Sequence, residues 1–490
     1  MNRILVRLGG VRLLLLVIGL GLIGLAWWQV GRARQGLVVR SLSQDGIPLR
    51  FIAPAGTTNQ PGILIAHGFG GSQQLMLGYA YVLAHAGYGT MLWDFAGHAA
   101  NPAPLDRTGD TLQGNIDTAY AALIAQPEID PGRVALLGHS MGSGAVMSAG
   151  IADPARYRAV VAISPTGADV TPDRPPNLLL QAGQREARFA ENAQQLLAEA
   201  GGSSTDFATG RARAFVLVPQ VEHITILFSD ISHQVALRWL DSAFGRLSGS
   251  DYADRRMVWY LLHLLGWLLA LVALSPLLPK MARPANRPVR WRRGLGLALA
   301  PFAAAVLLAL TNLLIDVASL GGLSVGGGFA LWCLYMGLVW LLLGTRPGRL
   351  AAADLTWGVL LFAVLWLAFG ALAQFVWLPW FLIPVRLVRW PLLAAAFLPW
   401  MWAAGLAQQG AGAGQRALWW LGQSILIPAG LLLTMQLVPG MGVLILVLPL
   451  LPLLFGVLTV AGGAVARPGA YAIGSALFFG WLVLAYFPLS

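Results

Sequence analysis

From Met257 onward the chain consists of apolar stretches, each close to the length of about 20 residues that a helix needs to cross a bilayer. They occupy residues 257–279, 295–316, 325–344, 355–378, 391–407, 417–437, 440–464 and 469–489. Short breaks rich in polar or turn-forming residues separate them, as at 346–349 and 408–415. The sequence therefore predicts a bundle of about eight transmembrane helices over residues 257–490.

A further apolar run lies near the amino terminus, over residues 13–28. Basic residues precede it, and it ends in Trp27 and Trp28. A cleaved secretory signal ends in small residues, whereas tryptophan is enriched where a span meets the membrane surface. We therefore favour a retained transmembrane anchor over residues 1–30, with a cleaved signal as the alternative.

The composition agrees with a membrane protein. Hydrophobic residues make up 57% of the 490 residues and charged residues 11%, against about 45–50% and about 25% in soluble proteins. The net charge of +11 would also suit a nucleic-acid-binding protein, but the arginines flank apolar runs, so we predict no nucleic-acid partner. The single cysteine, Cys333, can form neither an internal disulfide nor a cysteine-based zinc site, and we interpret it as a small apolar filler.

Residues 37–249 differ from the rest, because charges occur every few residues. Short β-branched runs typical of strands lie at 63–66, 89–93, 134–137, 159–163, 178–181 and 215–218. Helical patterns lie between them at 74–86, 115–126, 141–151 and 188–200. This alternation predicts a mainly parallel sheet flanked by helices, and about 210 residues suffice for one buried core.

The segment Gly138-His139-Ser140-Met141-Gly142 joins a predicted strand to a predicted helix. On such a sharp turn the serine hydroxyl is exposed above the sheet, and the glycines allow strand and helix to approach. The amino terminus of the helix favours a developing negative charge beside the serine. We therefore predict that Ser140 is a nucleophile, supported by Gly138 and Gly142.

A second motif, with His67 and Gly68 followed by Phe69 and two glycines, comes directly after the predicted strand 63–66. Together the two motifs resemble those of the α/β-hydrolases, and specifically of esterases and dienelactone hydrolases without a cap domain. The resemblance covers residues 37–247. It implies that the backbone N–H groups of Phe69 and Met141 form an oxyanion hole, and that His67 is structural.

The segment from Asp94 to His98 resembles another α/β-hydrolase turn, D-x-R-G-H-G. Here Ala96 takes the arginine position and Ala99 the position of the last glycine. We interpret Asp94 and His98 as structural residues.

The resemblance also implies a base and an acid, in the chain order serine, acid, histidine. His223 follows the predicted strand 215–218 after a short loop, which is the position of the base in the family. His233 is the alternative, although it lies in a predicted amphipathic helix and is expected at the surface or in a helix cap. For the acid we favour Glu186, three residues past Gly183.

Two alternatives for the acid are Asp206 and Asp169. Only residues 164–177 separate two of the predicted strands where many α/β-hydrolases insert a cap domain. We therefore expect an open site, which suits large or membrane-presented substrates.

Five polar residues fall in or near the predicted spans: His263, Asn312, Asp316, Gln374 and Gln436. Ionisable groups in a membrane are functional candidates by default. However, interhelical hydrogen bonds and positions near span ends explain these residues, so we predict structural roles. The sequence indicates neither paired interrupted helices nor a clear repeat, which are typical of transporters.

These observations predict a membrane-anchored serine hydrolase that cleaves a carboxylic ester, or a thioester or amide, through an acyl-serine intermediate. One alternative is an acyltransferase to a membrane lipid or polymer. Another is an accessory hydrolase domain on a transporter or flippase bundle. We expect an ester or acyl substrate of lipid origin, membrane lipids as partners, and no cofactor or metal, whereas the oligomeric state is not predicted.

The basic residues predict the orientation. Residues 280–293 contain Lys280, Arg283, Arg287, Arg290, Arg292 and Arg293 and no acidic residue. Short basic loops stay in the cytoplasm, while long domains cross largely regardless of charge. This predicts a bacterial inner-membrane protein with residues 37–249 outside the cytoplasm. Arg386 and Arg389 disagree, because the same count of spans places them outside as well.

Overall fold

The computed structural model describes residues 2–106, 110–277, 291–344, 348–465 and 467–490. We call residues 37–249 the sheet region, and the first helix together with residues 256–490 the helical region. Five basic residues lie outside the described residues. Four of them contribute to the predicted orientation, namely Lys280, Arg283, Arg287 and Arg290, and the fifth is Arg346.

An eight-stranded sheet forms the centre of the sheet region. Its strands are β1 (Leu37–Gln44), β2 (Ile47–Pro54), β3 (Gln60–Ala66), β4 (Gly89–Trp93), β5 (Ile129–His139), β6 (Val160–Ile163), β7 (Leu178–Gly183) and β8 (Arg213–Val218). They lie in the order β1-β2-β4-β3-β5-β6-β7-β8. Strand β2 pairs antiparallel with β1 and with β4, and the pairs from β4 to β8 are parallel.

The sequence predicted six of these strands and missed the hairpin of β1 and β2. Its turn is Asp45-Gly46, and both residues have positive φ, 52° and 76°. An Asp-Gly pair between β-branched runs is a strong hairpin signal, because this turn needs two left-handed residues. This signal is present in the sequence. However, the two strands of a hairpin follow each other directly, so they do not fit the alternation of strands and helices that predicted the other six.

Helices cover both faces of the sheet: α2 (Leu77–His85), α3 (Asp110–Ile124), α4 (Met141–Ala152), α5 (Ala187–Glu199) and α6 (Asp230–Phe244). One core lies between the sheet and α3, α4 and α5, with Ile116, Val146 and Leu196 fully or nearly fully buried. The other core lies between the opposite face of the sheet and helices α2 and α6, where Leu83 and Leu240 are buried. The fold is therefore an α/β-hydrolase fold, a mostly parallel sheet flanked by helices.

The helical region contains α1 (Asn2–Arg32), α7 (Arg256–Leu274), α8 (Trp291–Asn312), α9 (Gly326–Gly344), α10 (Ala352–Leu365), α11 (Pro384–Leu387), α12 (Trp390–Gln408), α13 (Ala413–Leu437), α14 (Leu451–Val465) and α15 (Pro468–Tyr486). Within the described ranges, nine helical segments are long and apolar enough to cross a membrane. Helix α1 packs along α7, and α15 packs against both α10 and α12. These apolar helices are compatible with a transmembrane bundle.

Two of the predicted spans are not regular α-helices. Helix α10 continues into a π-helical turn, Trp366–Ala371, and α14 follows two 3₁₀ turns, Met441–Leu446 and Leu448–Leu450. Both irregular turns lie within continuous apolar helical stretches, Ala352–Ala371 and Met441–Val465, so the absence of paired interrupted helices stays a prediction. An apolar run has the same sequence signature in all three helix types, so composition does not distinguish them.

Arg386 of α11 joins the two regions. Its guanidinium is buried and donates to the carbonyl oxygens of Gly97 (2.7 Å) and Ala99 (2.9 Å) in the sheet region. It also donates to those of Leu484 and Phe487 in and after α15. Since its charge is satisfied inside the protein, Arg386 is not a basic residue of a free loop, and the rule that concerns such loops does not apply to it.

Candidate active site

Ser140 lies at the turn between β5 and α4 and has a φ of 52°, a left-handed conformation that is strained for a residue with a side chain. The two motif glycines make this turn possible. A Cβ added to Gly138 would lie 2.3 Å from the carbonyl oxygen of Gly142, and one added to Gly142 would lie 2.5 Å from that of His67. Strand and helix approach too closely here for any larger residue.

The structure brings Ser140, His223 and Glu186 together in one chain of hydrogen bonds. His223 Nδ1 lies 2.8 Å from Glu186 Oε2, and its Nε2 lies 3.0 Å from Ser140 Oγ. With a neutral ring, Nδ1–H donates to the carboxylate and Nε2 accepts from the serine hydroxyl. In this arrangement the imidazole is positioned to receive the hydroxyl proton.

Glu186 is held by contacts to both of its oxygens. Oε2 accepts from His223, while Oε1 accepts from the Ser164 hydroxyl at 2.7 Å and from the backbone N–H of Gly183. The carboxylate is almost completely buried. A buried carboxylate with several donors has a fixed orientation, so Glu186 fixes the plane and the tautomer of the histidine ring.

Sequence reasoning missed three residues that position this chain: His139, Ser164 and Phe189. His139 donates its Nε2–H to the carbonyl oxygen of His223 at 2.9 Å, and burial holds the pKa of His139 well below its usual value, so that it stays neutral. Phe189 stacks on the His223 ring with centroids 4.2 Å apart. Only His139 had a sequence signal, since it directly precedes the serine in the motif.

The loop after β3 passes directly beside the serine. A Cβ on Gly68 would lie 2.9 Å from the Cβ of Ser140, so this position also requires glycine. Phe69 follows in the loop, and Met141 is the first residue of α4. Of the two residues predicted for the oxyanion hole, Met141 thus directly follows Ser140 in the chain, and Phe69 lines the same cavity as Ser140.

His67, Asp94 and His98 are buried behind this loop. His67 donates Nδ1–H to the carbonyl oxygen of Gly68 at 2.8 Å, and its Nε2 accepts from the backbone N–H of Phe95 at 3.0 Å. Asp94 accepts from the backbone N–H of Gln73 at 2.9 Å. Burial lowers the pKa of both histidines. These contacts tie neighbouring loops together, in line with the structural interpretation of the three residues.

The prediction that His233 lies at the surface or in a helix cap was wrong. His233 is buried, its ring packs edge-on against Tyr79 with centroids 4.4 Å apart, and its Nε2–H donates to the carbonyl oxygen of Leu227. The amphipathic pattern correctly predicted that His233 lies in a helix, but it did not predict that His233 lies on the buried face of that helix. The alternative acids, Asp169 and Asp206, are exposed, and Asp206 binds the turn at Thr209.

The expectation of an open site requires correction. A cavity of about 420 Å³ begins at Ser140 and His223 and extends between residues of the helical region, including Tyr260 and Trp377. Tyr486 of α15 packs on the loop after β3, where a Cβ on Gly70 would lie 3.1 Å from its ring. Helices far along the chain occupy the place of a cap, so the short segment 164–177 could not reveal the cover.

Four of the five polar residues in the predicted spans bind nearby backbone groups. They are His263 with the carbonyl of Ala368 (3.1 Å), Asn312 with the N–H of Val317 (3.3 Å), Asp316 with that of Ala318 (2.9 Å) and Gln374 with that of Phe381 (3.1 Å). Gln436 is exposed on α13, and Cys333 is buried in α9. These contacts agree with structural roles.

Comparison with protein families finds one match in the sheet region. The family described as serine aminopeptidase, S33, matches residues 58–213. This range contains Ser140 and Glu186 and ends before His223. Together with the sheet order, the match identifies a serine-hydrolase-type α/β fold and supports a hydrolase.

The chain is also similar to uncharacterized bacterial proteins. It is 32% identical over 111 residues to a 31.7 kDa protein of Escherichia coli from the traX-finO intergenic region, a match that covers 22% of this chain and 39% of that protein. It is 28% identical over 200 residues to a protein of Mycobacterium tuberculosis, with 37% of this chain and 70% of that protein covered. This chain thus spans well under half of the E. coli relative.

Among solved structures, the chain is similar to a dienelactone hydrolase from Anabaena variabilis, with 20% identity, a TM-score of 0.32, and 42% of this chain and 97% of that chain covered. It is also similar to a membrane phospholipase A, with 15% identity, a TM-score of 0.33, and coverage of 46% and 93%.

Proposed function

We propose that the protein is a membrane-anchored serine hydrolase that cleaves a carboxylic ester through an acyl-serine intermediate. The observation that carries the proposal is the continuous chain of hydrogen bonds from Glu186 through His223 to Ser140, at the end of an apolar cavity. A serine hydroxyl is a weak nucleophile unless an adjacent base removes its proton, and an oriented histidine meets that requirement.

In the proposed reaction, Ser140 Oγ attacks the ester carbonyl while His223 Nε2 takes the hydroxyl proton. The imidazolium then gives this proton to the leaving alcohol, and an acyl-serine remains. Water, deprotonated by the same nitrogen, releases the acid and restores the serine. The N–H groups of Phe69 and Met141 stabilise the oxyanion, and one such donor contributes about 2.7–4 kcal/mol to the transition state.

An ester suits the cavity better than the amino-terminal peptide that the name of the matched family suggests. A charged peptide terminus needs a carboxylate partner inside the site. Of the described residues that line the cavity, Glu222 is the acidic one. Its two oxygens accept hydrogen bonds from the backbone N–H groups of Ile224 and Thr225, at 3.0 and 2.9 Å. The Glu222 carboxylate is therefore bound within its own turn and is not directed at a substrate.

Fluorophosphonate labelling tests the proposed function. We expect the probe to label the full-length protein and Ser140→Ala to abolish both the labelling and the hydrolysis of p-nitrophenyl butyrate. Loss of the nucleophile costs up to about a million-fold in serine hydrolases. Ser148→Ala is the matched control, because Ser148 lies on the same helix and is exposed. Equal labelling of Ser140→Ala would show that Ser140 is not the nucleophile, and a faster reaction with an aminoacyl anilide would favour a peptidase.

For the membrane arrangement we propose that residues 1–30 are an anchor, residues 257–490 a transmembrane bundle, and residues 37–249 an extracytoplasmic hydrolase domain. Nine apolar helices among the described residues support membrane association, and the basic run 280–293 supports the orientation.

Cysteine labelling in intact cells tests this orientation. Ser203 is exposed in the sheet region, and Cys333→Ala removes the native thiol. We expect Ser203→Cys in that background to react with an impermeant maleimide without permeabilisation. Reaction only after permeabilisation would place the domain in the cytoplasm.

A further inference from the structure

The cavity at the candidate nucleophile has two chemically different ends. At one end lie Ser140, His223 and the loop after β3. The other end is inside the helical region, where its walls are aliphatic and aromatic: Leu264, Phe329, Phe369, Leu454, Phe479 and Val483. Arg256, where α7 begins, packs over Tyr81 of the sheet region with 4.4 Å between guanidinium and ring centroid. Leu264 is eight residues further along, about 12 Å deeper at 1.5 Å per residue.

The helical region is irregular where it borders this cavity. Phe369 belongs to the π-helical turn Trp366–Ala371, and residues of the 3₁₀ turns before α14 form part of the wall. In a membrane, irregular backbone persists only where it is buried in protein or lines a cavity, and π-helical turns are frequent at functional sites. Both irregular turns therefore form part of the cavity wall.

Two of the apolar helices carry cavity-lining residues on their exposed sides. Leu261 of α7 and Leu453 of α14 both line the cavity, yet they are 53% and 51% exposed. Helix α7 packs against α1, and α14 packs against α13 and α15. The other exposed residues of the described lining are Thr225 in the sheet region and Pro449 in the turn before α14. Exposed lining residues mark where a cavity opens, so Leu261, Pro449 and Leu453 mark a mouth among the helices and Thr225 marks one at the sheet region. In a bilayer the mouth among the helices faces lipid, and the cavity volume is within the 300–1,000 Å³ range of ligand sites.

We infer that the cavity is an acyl-chain site, and that the substrate is a membrane lipid ester that enters from the bilayer between Leu261 and Leu453. The inference rests on the proposed function and adds the substrate class. The acyl chain lies among the helices with its carbonyl carbon at Ser140. On attack, the bond between this carbon and the ester oxygen breaks and the lipid alcohol leaves with the proton from His223. Water then releases the fatty acid.

This site joins chemistry from one region to apolar volume from the other. A chain of methylene groups makes favourable contacts with such walls. Its burial carries no desolvation cost, because it has no polar group. A short ester occupies only the polar end and leaves the apolar end unfilled. Chain length should therefore control the reaction through residues that never approach the ester carbonyl.

Substitution of two adjacent leucines provides the test. Leu264 lines the cavity, while its neighbour Leu265 does not and is 43% exposed. We expect Leu264→Trp in the full-length protein to lower the ratio of kcat/KM for p-nitrophenyl palmitate to that for p-nitrophenyl butyrate by about tenfold or more, since hydrophobic pockets discriminate to this extent. Leu265→Trp should keep the wild-type ratio, because it adds the same side chain toward the bilayer.

A second variant guards against a folding failure of the first. Leu453→Trp adds bulk at the half-exposed mouth and should lower the same ratio when the palmitate ester is supplied in phosphatidylcholine vesicles. An unchanged ratio in both Leu264→Trp and Leu453→Trp would overturn the acyl-chain site. If the ratio is unchanged while fluorophosphonate still labels Ser140 and the variants still cleave the butyrate ester, only the acyl-chain site is refuted and the proposed function stands. If wild type is neither labelled nor active on either ester, the proposed function fails with it.

Discussion

The sheet region and the helical region bury polar groups in different ways. In the sheet region, buried polar side chains bind one another at the ends of parallel strands, as Glu186 does with Ser164 and His223. In the described part of the helical region, the buried charged side chains Arg256, Asp354 and Arg386 lie in the first turn of a helix or in a short helix between long apolar helices. Aromatic and aliphatic side chains fill most of the interior of the long helices, where buried polar side chains such as Gln423 and Thr434 bind the backbone of their own helix.

Under the proposed function, this difference divides the work of the site between the two regions. Proton transfer needs oriented polar groups, which a sheet supplies because its loops converge at one edge. Binding of an apolar chain needs volume without polar groups, which the helices supply. The candidate site lies where the two regions meet, so neither region contains all of it.

The largest expected effect concerns the polar network of the sheet region. We expect Glu186→Gln to lower kcat for p-nitrophenyl butyrate on the order of 10⁴-fold, because an amide no longer holds His223 in the tautomer that accepts the serine proton. Glu191→Gln, an exposed position on α5, the helix that begins directly after Glu186, should retain wild-type activity. A loss of less than tenfold in Glu186→Gln would mean that another group orients the histidine.

The next effect concerns the junction of the two regions. We expect Arg386→Met to destabilise the protein by about 3 kcal/mol, since hydrogen bonds from a charged group contribute about 1.5–3 kcal/mol each and are not additive. Thermal unfolding in detergent measures the loss. Arg389→Met is the control, because Arg389 is more exposed and donates to the carbonyl oxygens of Gly321 and Val385 within the helical region. Water can replace the partners of a side chain at the surface, so we expect a loss of about 0.5 kcal/mol or less for this variant. Equal shifts in the two variants would show that Arg386 does not join the regions.

The smallest effect for one side chain is the pH dependence that each buried histidine of the sheet region adds to the free energy of unfolding. Burial lowers the pKa of four histidines in the sheet region: His67, His98, His139 and His233. Below about pH 6.5 the unfolded chain protonates these residues and the folded protein does not. The free energy of unfolding therefore falls as the pH falls, by about 1.4 kcal/mol per pH unit for each histidine, until the lowered pKa is reached.

His233→Gln makes this prediction specific. A glutamine amide can donate to Leu227 in place of the ring but does not titrate in this range. Between pH 6.5 and 5.5 the variant should lose about 1 kcal/mol less unfolding free energy than wild type, because the unfolded histidine is only half protonated at pH 6.5. Chemical denaturation followed by circular dichroism measures the difference. Identical pH slopes for the two proteins would contradict a neutral, buried His233.

Local patterns in the sequence determined much of this protein. Apolar length predicted the helical segments, and β-branched runs predicted six strands of the sheet. The motif around Ser140, together with the family order, indicated His223 and Glu186, which the structure brings within hydrogen-bond distance. These features are predictable because each depends on residues that are close in sequence or on a motif that keeps its order.

Only the tertiary structure decided what surrounds those residues. It placed Tyr486 over the loop of Gly70, buried His233, added His139 and Ser164 to the support of the candidate site, and left a cavity among the helices. Arg386 and Gly97 are 289 residues apart, yet they share a hydrogen bond. Such contacts depend on how the side-chain volumes of distant segments fit together, and no local pattern of apolar and polar residues encodes that fit.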